Sequence, residues 1–315
     1  MSRFAITIHG GAGTILKKNM TPEKETAYRK GLETALNAGY ALLEKGASAI
    51  DAVVAAAMAL EDDALFNAGK GSVFANDGTQ EMDAAIMDGK TLMAGSVSAV
   101  RNIRNPVQLA QTIMTKSAHV MLIGRGAEDF AAIHSIKSEP DEYFFSQFRH
   151  DQLMKMRDSD EAALDHNISV QSPNADDRKF GTIGAAACDQ YGNIAATTST
   201  GGMTNKQWGR IGDSPIIGAG TYANNKTCAI SCTGHGEYFI RAVAAYDVSC
   251  LMEYKGLSLH EAMNIVVNEK LVLMEGEGGM IGVDAAGNVA MLFNSEGMYR
   301  GVRCSDGYAD ISIYK

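Results

Sequence analysis

The sequence predicts an α+β fold in which helices are layered on antiparallel sheets, and two patterns support this class. Strand-like segments lie near residues 4–9, between residues 73 and 100, and on either side of a turn within residues 182–199. Beyond residue 227 the order is a strand, two helices and then a closing hairpin at residues 280–293. Segments in this order can bury the apolar stripe of each helix against a sheet.

Helix starts can be recognised in the N-terminal part of the chain. Thr21 precedes Pro22 and an acidic first turn, as at a capped helix start, and apolar residues then repeat at helical spacing until Gly46. Ser48 begins a second, alanine-rich helix that reaches at least Met58. Further helices are predicted at residues 105–114, 127–133, 238–252 and 258–273, and further strands at residues 119–123, 216–222 and 227–233.

A polar, charged stretch at residues 139–179 separates the two halves of the chain. Its first half has weak helical character, and residues 158–181 are the best candidate for a linker. A chain of 315 residues can bury a large core as one sizeable domain or two. We predict an N-terminal part, residues 1–181, and a C-terminal part, residues 182–315, that together form one structural domain.

Composition and charge argue against several classes of protein. The formal net charge of −9 disfavours a surface that binds nucleic acid or anionic membranes. The N-terminal residues reach a glycine cluster too early for a secretory signal, and no apolar run is long enough to span a bilayer. The five cysteines, an odd number without regular spacing, fit buried reduced thiols, so we expect a cytoplasmic protein without disulfides or a zinc site.

An internal threonine directly after a glycine, Thr182 after Gly181, is the strongest indication of chemistry. Thr182 opens a run of small apolar residues typical of a buried strand, and the polar stretch before it looks easy to cut. A threonine hydroxyl needs a base, which a free α-amine with a pKa of about 7.7–8.0 can supply. We therefore predict a precursor that is cut between Gly181 and Thr182. The simpler alternative is an ordinary strand threonine.

Six short motifs follow one another along the chain. They are HGGAG at residues 9–13, FNAG at 66–69, GTIG at 181–184, STGG at 199–202, GRIGDSP at 209–215 and CTG at 232–234. Each is weak evidence alone, but their order and spacing resemble the plant-type L-asparaginases and isoaspartyl peptidases over nearly the whole chain. This family of N-terminal nucleophile hydrolases also includes glycosylasparaginase. The resemblance implies a four-layer αββα sandwich, self-cleavage, and a homo-oligomer of cleaved units, (αβ)2.

The resemblance implies a role for each hydroxyl in these motifs. Thr182 matches the nucleophile, whose β-branched side chain has few rotamers and so holds its hydroxyl in place. Thr200 matches a second threonine that hydrogen-bonds near the nucleophile, although a threonine that only forms a turn before two glycines is the alternative. Thr233 and Gly234 match an oxyanion hole, in which a hydroxyl and an amide donate to the developing negative charge.

A loop with an arginine and an aspartate matches the family's substrate-binding site. An amino acid carries a carboxylate, which the Arg210 guanidinium can hold in bidentate fashion, and an ammonium, which Asp213 can hold. The resemblance assigns Gly236 to the same site, together with Thr233 and Gly234. The alternative for Arg210 and Asp213 is a surface salt bridge within a loop.

One residue departs from the family pattern. His235 stands directly after Gly234, where the relatives usually carry a small hydroxyl residue, so a titratable ring lies beside the predicted substrate pocket. A histidine that caps the following helix is the simpler role.

No cofactor is expected for catalysis, but the resemblance implies a structural sodium ion. The backbone carbonyls that would bind it belong to Leu60, Glu61, Asp63, Phe66, Ala68 and Lys70. The acids Asp62 and Asp63 could instead belong to a solvated helix end. The glycines at residues 10–13 lack the lysine and the spacing of a phosphate-binding loop, so nucleotide binding is not expected.

These features predict an autoprocessed amidohydrolase that cleaves β-aspartyl dipeptides and L-asparagine and releases L-aspartate. A glycosylasparaginase would share the mechanism but act on sugar-linked asparagine, and the lack of a secretory signal argues against it. A non-catalytic binder of aspartate-like metabolites would keep Arg210 and Asp213 but would never cleave itself. Neither nucleic acid nor a membrane is expected among the partners.

Overall fold

The computed structural model describes residues 3–158 and 181–315, which form a mixed fold of helices and two β-sheets. The predicted combination of helices with largely antiparallel sheets is thus confirmed. The strands are β1 (Ala5–Gly13), β2 (Met82–Asp88), β3 (Ala94–Val100), β4 (Met121–Ile123), β5 (Ile183–Cys188), β6 (Ile194–Thr200), β7 (Thr221–Ala223), β8 (Cys228–Gly234), β9 (Gly278–Asp284), β10 (Val289–Phe293), β11 (Gly297–Cys304) and β12 (Ala309–Tyr314).

The larger sheet has eight strands in the order β12-β11-β1-β5-β6-β2-β3-β4, and the smaller has four in the order β10-β9-β8-β7. Neighbouring strands pair antiparallel, except that β3 and β4 run parallel. β5 and β6 lie in the middle of the larger sheet, and β8 of the smaller sheet contacts both. The three strands that carry the predicted catalytic threonines are therefore brought together.

The first two helices begin where the sequence predicts them, whereas the helix predicted at residues 127–133 begins earlier, at Gly124. Thr21 Oγ1 accepts the amide of Lys24 at 3.3 Å, and Ser48 Oγ accepts the amide of Asp51 at 3.2 Å, so both predicted caps are confirmed. The helices are α1 (Pro22–Glu44), α2 (Ala49–Glu61), α3 (Pro106–Lys116), α4 (Gly124–Ile133), α5 (Asp141–Phe144), α6 (Gln147–Asp158), α7 (Gly236–Ala242), α8 (Ala244–Lys255), α9 (Leu259–Asn264) and α10 (Leu271–Leu273), with a π-helical turn, Ile265–Lys270, between the last two.

Three apolar clusters hold these elements together. One joins α1, α2 and α3 to the larger sheet and includes Ile183, next to the predicted nucleophile. A second joins the smaller sheet to α8 and α9 through residues such as Ile230 and Val248. The third lies between the two sheets and contains small side chains such as Ala186 and Ala196, which let the sheets approach closely.

Two predicted boundaries are wrong in ways that matter for the site. Residues 10–13, which lie beyond the strand predicted near residues 4–9, belong to β1, which pairs with β11 after a register shift between His9 and Gly11. The shift is a bulge, and glycine accommodates it because it has no Cβ: Gly11 and Gly13 both have positive φ. The hairpin at residues 280–293 does not close the fold, because β11 and β12 follow it.

The predicted strand at residues 216–222 is mostly a turn, and the predicted helix at residues 238–252 is broken. The carbonyls of Gly218 and Ala219 accept the amides of Tyr246 and Ala245 in the first turn of α8, so they are not available to a strand ladder. Val243 adopts a left-handed conformation, with φ of 48°, between α7 and α8. Most of the predicted linker, residues 158–181, lies outside the described residues.

The sequence also led us to expect reduced cysteines and no membrane-spanning segment. All five cysteines are free thiols, and four of them are buried. Within residues 3–158 and 181–315, none of the helices has the length and apolar character needed to cross a bilayer.

Candidate active site

The predicted nucleophile and its threonine partner lie at the same end of the β5–β6 pair. Ile183 pairs with Ser199 in this ladder, so Thr182 and Thr200 are neighbours across it. Thr182 Oγ1 donates a hydrogen bond of 3.1 Å to Thr200 Oγ1, which also accepts the amide of Gly202 at 3.0 Å. Thr182 is 8% exposed. The Thr182 hydroxyl is therefore oriented by Thr200 Oγ1, which is itself held in place by the amide of Gly202.

The carbonyl of Gly181, at the predicted cut, is also held. The backbone amide of Asn67 donates to it at 3.2 Å. The Asn67 side chain is fixed as well, because Nδ2 donates to the carbonyl of Gly202 at 2.7 Å and Oδ1 accepts the amide of Val73 at 3.0 Å. A Cβ on Gly181 would lie 2.5 Å from the Asn67 Cβ, so this approach requires glycine. The sequence singled out the motif at residues 66–69 but gave Asn67 no role of its own.

Thr233 and Gly234 end β8 next to this pair. Thr233 is fully buried, and its Oγ1 accepts the amide of Ala12 at 3.2 Å, so its own hydroxyl hydrogen is not used by that bond. Gly234 has a φ of 148°, and a Cβ there would lie 2.3 Å from the carbonyl oxygen of Glu277. A narrow cleft beside the predicted nucleophile is lined by Thr182, Thr200, Gly202, Met203, Arg210, Gly212, Asp213, Ser214 and Gly234.

Arg210 reaches this cleft but does not pair with Asp213. Its guanidinium instead forms a bidentate pair with Glu237, in which Nε donates to Oε1 and Nη2 donates to Oε2, both at 2.9 Å. Two parallel charge-assisted bonds fix the plane of a guanidinium. Glu237 lies in the first turn of α7, and sequence reasoning missed it, although it directly follows the predicted Gly236.

Asp213 is buried beside the guanidinium, and Gly236 makes room for both. Burial raises the pKa of Asp213 to about 7. Its Oδ2 has no hydrogen-bond partner among the described residues. A Cβ on Gly236 would lie 2.9 Å from Asp213 Oδ1 and 3.0 Å from Arg210 Nη2. A buried acid with an unpartnered oxygen next to a fixed cation suits a ligand that carries both an ammonium and a carboxylate.

His235 occupies the position before α7, but its side chain does not cap that helix. Its Nδ1 lies 3.4 Å from the amide of Glu277, from which it accepts, and its ring is tilted against Tyr238. The simpler role predicted for His235 is therefore wrong: the residue holds the chain that leads into β9, and it is not among the residues that line the cleft.

The loop predicted to bind sodium turns tightly around two glycines. Ideal Cβ atoms on Gly69 and Gly71 would lie 2.4 Å from the carbonyl oxygen of Glu61 and 1.9 Å from that of Phe66. The carbonyls of Asp63, Phe66 and Ala68 each accept one backbone amide, which leaves one lone pair on each oxygen, whereas the carbonyl of Leu60 accepts the amides of both Asp62 and Asp63. Crowded carbonyls suit a hard monovalent cation. Within the described residues, no cluster of three His, Cys, Asp or Glu side chains could hold a metal ion.

Comparison with known proteins agrees with the motifs. The family model described as Asparaginase matches residues 2–313. An isoaspartyl peptidase of Salmonella typhimurium is 50% identical over 300 residues, which are 95% of each chain. An isoaspartyl peptidase/L-asparaginase of Xenopus laevis is 41% identical over 93% of this chain and 90% of its own. A relative from Arabidopsis thaliana, whose name also pairs the two activities, is 40% identical over 100% of both chains.

The predicted resemblance is thus confirmed by a match that begins before β1 and reaches into β12. The chain belongs to the asparaginase family of N-terminal nucleophile hydrolases.

Proposed function

We propose that this protein is a threonine hydrolase that cuts itself before Thr182 and then hydrolyses β-aspartyl dipeptides and L-asparagine, releasing L-aspartate. The observation that carries the proposal is the arrangement at the cut: the Thr182 hydroxyl is held by Thr200, and the carbonyl of Gly181 is held by the Asn67 amide. An attacking oxygen and a polarised carbonyl are thus kept side by side.

In the self-cleavage step, Thr182 Oγ1 attacks the carbonyl carbon of Gly181. The Asn67 amide donates to the oxygen on which negative charge develops. The carbon–nitrogen bond breaks, the nitrogen takes up the proton that the hydroxyl loses and becomes the free α-amine of Thr182, and the Gly181 acyl group is left as an ester on Oγ1. Water then hydrolyses this ester, and the mature Thr182 has both a hydroxyl and an amine.

In the hydrolytic step, the neutral amine of Thr182 accepts the hydroxyl proton, and Oγ1 attacks the side-chain carbonyl of the substrate. Thr233 and Gly234 donate to the oxyanion, and ammonia or the amine of a dipeptide leaves with the proton. Water then releases L-aspartate from the ester on Thr182. Arg210 holds the α-carboxylate, while Asp213 holds the α-ammonium beside Gly236.

The layering and assembly of the cleaved protein are part of the same proposal. The three apolar clusters support a four-layer αββα sandwich, with helices outside each of two facing sheets. We expect the two fragments, residues 1–181 and 182–315, to stay together as one structural domain and to form an (αβ)2 homo-oligomer. A cytoplasmic location fits the five free cysteines.

A structural sodium ion belongs to the proposal as well. The carbonyls of Leu60, Glu61, Asp63, Phe66, Ala68 and Lys70 would hold it. Such an ion would stiffen the loop that carries Asn67, and it is not required for any bond that is made or broken.

Three measurements on purified protein test the function. A denaturing gel should show two fragments, N-terminal sequencing should begin one of them at Thr182, and β-aspartyl dipeptides and asparagine should both yield aspartate. Thr182→Val, which keeps the shape without the hydroxyl, should stay whole and inactive. A single persistent band in the parent would favour a non-catalytic binder, and preferential turnover of glycosylasparagine would favour a glycosylasparaginase.

A further inference from the structure

His9 is a fully buried histidine with no part in the reaction described above. It lies on β1 just before the bulge, opposite Gly184 of β5. Its Nδ1 is 3.0 Å from the carbonyl oxygen of Thr182. A carbonyl oxygen can only accept, so Nδ1 carries a hydrogen and donates it. This carbonyl belongs to the C-terminal side of Thr182, so a cut before Thr182 leaves the hydrogen bond intact.

The second ring nitrogen of His9, Nε2, is hydrogen-bonded to Ser231, the first of three hydroxyl side chains that contact one another in a line. Burial lowers the pKa of His9 to about 3, so the ring is neutral and Nε2 accepts from Ser231 Oγ at 2.9 Å. Because Ser231 spends its only hydrogen on the ring, it accepts from Thr198 Oγ1 at 2.6 Å, and Thr198 accepts from Thr221 Oγ1 at 2.7 Å. In this line the hydroxyls donate towards the ring, and Thr198 Oγ1 also lies 3.1 Å from the carbonyl oxygen of Gly220, which competes for its hydrogen. Each of these residues is fully buried.

The backbone of β5 leaves space for the hydrogen bond between His9 and Ser231, and the far end of the line of hydroxyls lies next to the cleft. A Cβ on Gly184 would lie 1.9 Å from Ser231 Oγ and 2.5 Å from His9 Nε2, so the hydrogen bond requires glycine at this second position of β5. At the other end, Thr221 Oγ1 also lies 3.1 Å from the carbonyl of Ser214, a residue that lines the cleft.

We propose that His9 is a positioning residue for Thr182, in which Nδ1–H holds the Thr182 carbonyl while Ser231 and Thr198 keep the ring in the tautomer that can donate. Fixing the carbonyl fixes the backbone of Thr182 and with it the direction of the Cα–Cβ bond that carries the attacking oxygen. The inference rests on the proposed function, because positioning by His9 affects the reaction only if the Thr182 hydroxyl is the nucleophile.

A pair of substitutions separates positioning from packing. The side-chain amide of His9→Asn reaches the place of Nδ1, whereas that of His9→Gln reaches the place of Nε2. We expect His9→Gln to cut itself and to turn over a β-aspartyl dipeptide about tenfold or more slowly, with KM within about twofold of the parent. His9→Asn should recover most of the rate. The measurements are fragment formation on gels, steady-state kinetics and the melting temperature of each variant.

Equal rates in His9→Gln and the parent would overturn the inference. So would equal losses in both variants that follow their melting temperatures, because His9 would then act through packing alone. Nitrogen NMR of the unsubstituted mature enzyme tests the same point without any substitution: hydrogen on Nδ1 and a bare Nε2 support it, and the opposite tautomer or a charged ring refutes it. A parent protein that neither cuts itself nor releases aspartate would refute the proposed function instead.

Discussion

Asp213 illustrates how burial prepares a single residue for a charged partner. Because burial raises its pKa to about 7, the carboxyl of the free enzyme is partly protonated near neutral pH. Only the ionised form attracts an ammonium, so the affinity for L-aspartate should fall about tenfold per pH unit below that pKa. The inhibition constant of L-aspartate, measured from about pH 5 to 8, checks this. Asp213→Asn should bind weakly at every pH, and an equally steep slope in that variant would contradict the assignment.

Unlike Asp213, Glu237 already has a charged partner within the protein, the Arg210 guanidinium. The two bonds from Arg210 occupy Nε and Nη2 and fix the guanidinium plane. Glu237→Gln keeps the shape but loses one charge-assisted bond, so KM for a β-aspartyl dipeptide should rise about three- to thirtyfold while kcat changes little. Steady-state kinetics measure both values. Glu253→Gln, on the exposed side of α8, is the matched control, and a lower kcat with an unchanged KM in Glu237→Gln would argue against positioning of Arg210.

The sequence was informative about residues whose role follows from their own chemistry. Thr182 after Gly181, and Arg210 close to Asp213, could be singled out because their side chains suit the chemistry and because they stand in the ordered series of six motifs. Asn67 could not be predicted in the same way, because the group that acts is its backbone amide, which no residue type reveals. Glu237 was missed because its partner Arg210 is distant in the chain, and only the fold brings the two together.

Among the helices and strands, Gly95 and Gly126 differ in how much space their surroundings leave for a side chain. Gly95 on β3 faces the backbone of α3, and a Cβ there would lie 2.0 Å from the carbonyl oxygen of Ala110. Gly95→Ala should lower the free energy of unfolding by about 1–3 kcal/mol, because helix and strand must separate. Around Gly126 in α4, the part of the chain that the structure describes places nothing within 4 Å of the ideal Cβ, so Gly126→Ala should be neutral or stabilise by up to about 1 kcal/mol. Denaturant unfolding measures both, and equal effects would contradict the packing of α3 on β3.

Elements were predictable where local signals decide them. The caps at Thr21 and Ser48 are satisfied by amides three residues away, so the starts of α1 and α2 follow from sequence. The break at Val243 depends instead on carbonyls of the preceding loop that bind the first turn of α8. β11 and β12 were overlooked because β11 pairs with a strand from the other end of the chain.

For the whole molecule, Glu61 links stability to pH. It is fully buried at the end of α2, where Oε1 accepts from Ser199 Oγ and from the amide of Val107. Burial raises the pKa of Glu61 to about 8 from an ordinary value of 4.5. Between these values the folded protein holds a proton that the unfolded chain has released. The free energy of unfolding should therefore fall, by a few kcal/mol, as pH rises from about 4.5 to 8.

Glu61→Gln keeps an oxygen for both donors and cannot ionise. Its free energy of unfolding should change less over that pH range than that of the parent, as followed by urea unfolding at several pH values. Glu33→Gln, at an exposed position of α1, is the matched control and should keep the slope of the parent. Parallel pH profiles for the parent and Glu61→Gln would show that another group titrates.

The position of β1 in the larger sheet has a consequence for timing. β1 precedes the predicted cut, whereas its two neighbours in the sheet, β5 and β11, both follow it. Because the N-terminal part of a chain is synthesised first, β1 gains its second neighbour only after the residues of β11 have been made. If self-cleavage needs β1 paired on both sides, a chain that stops before β11 should remain whole.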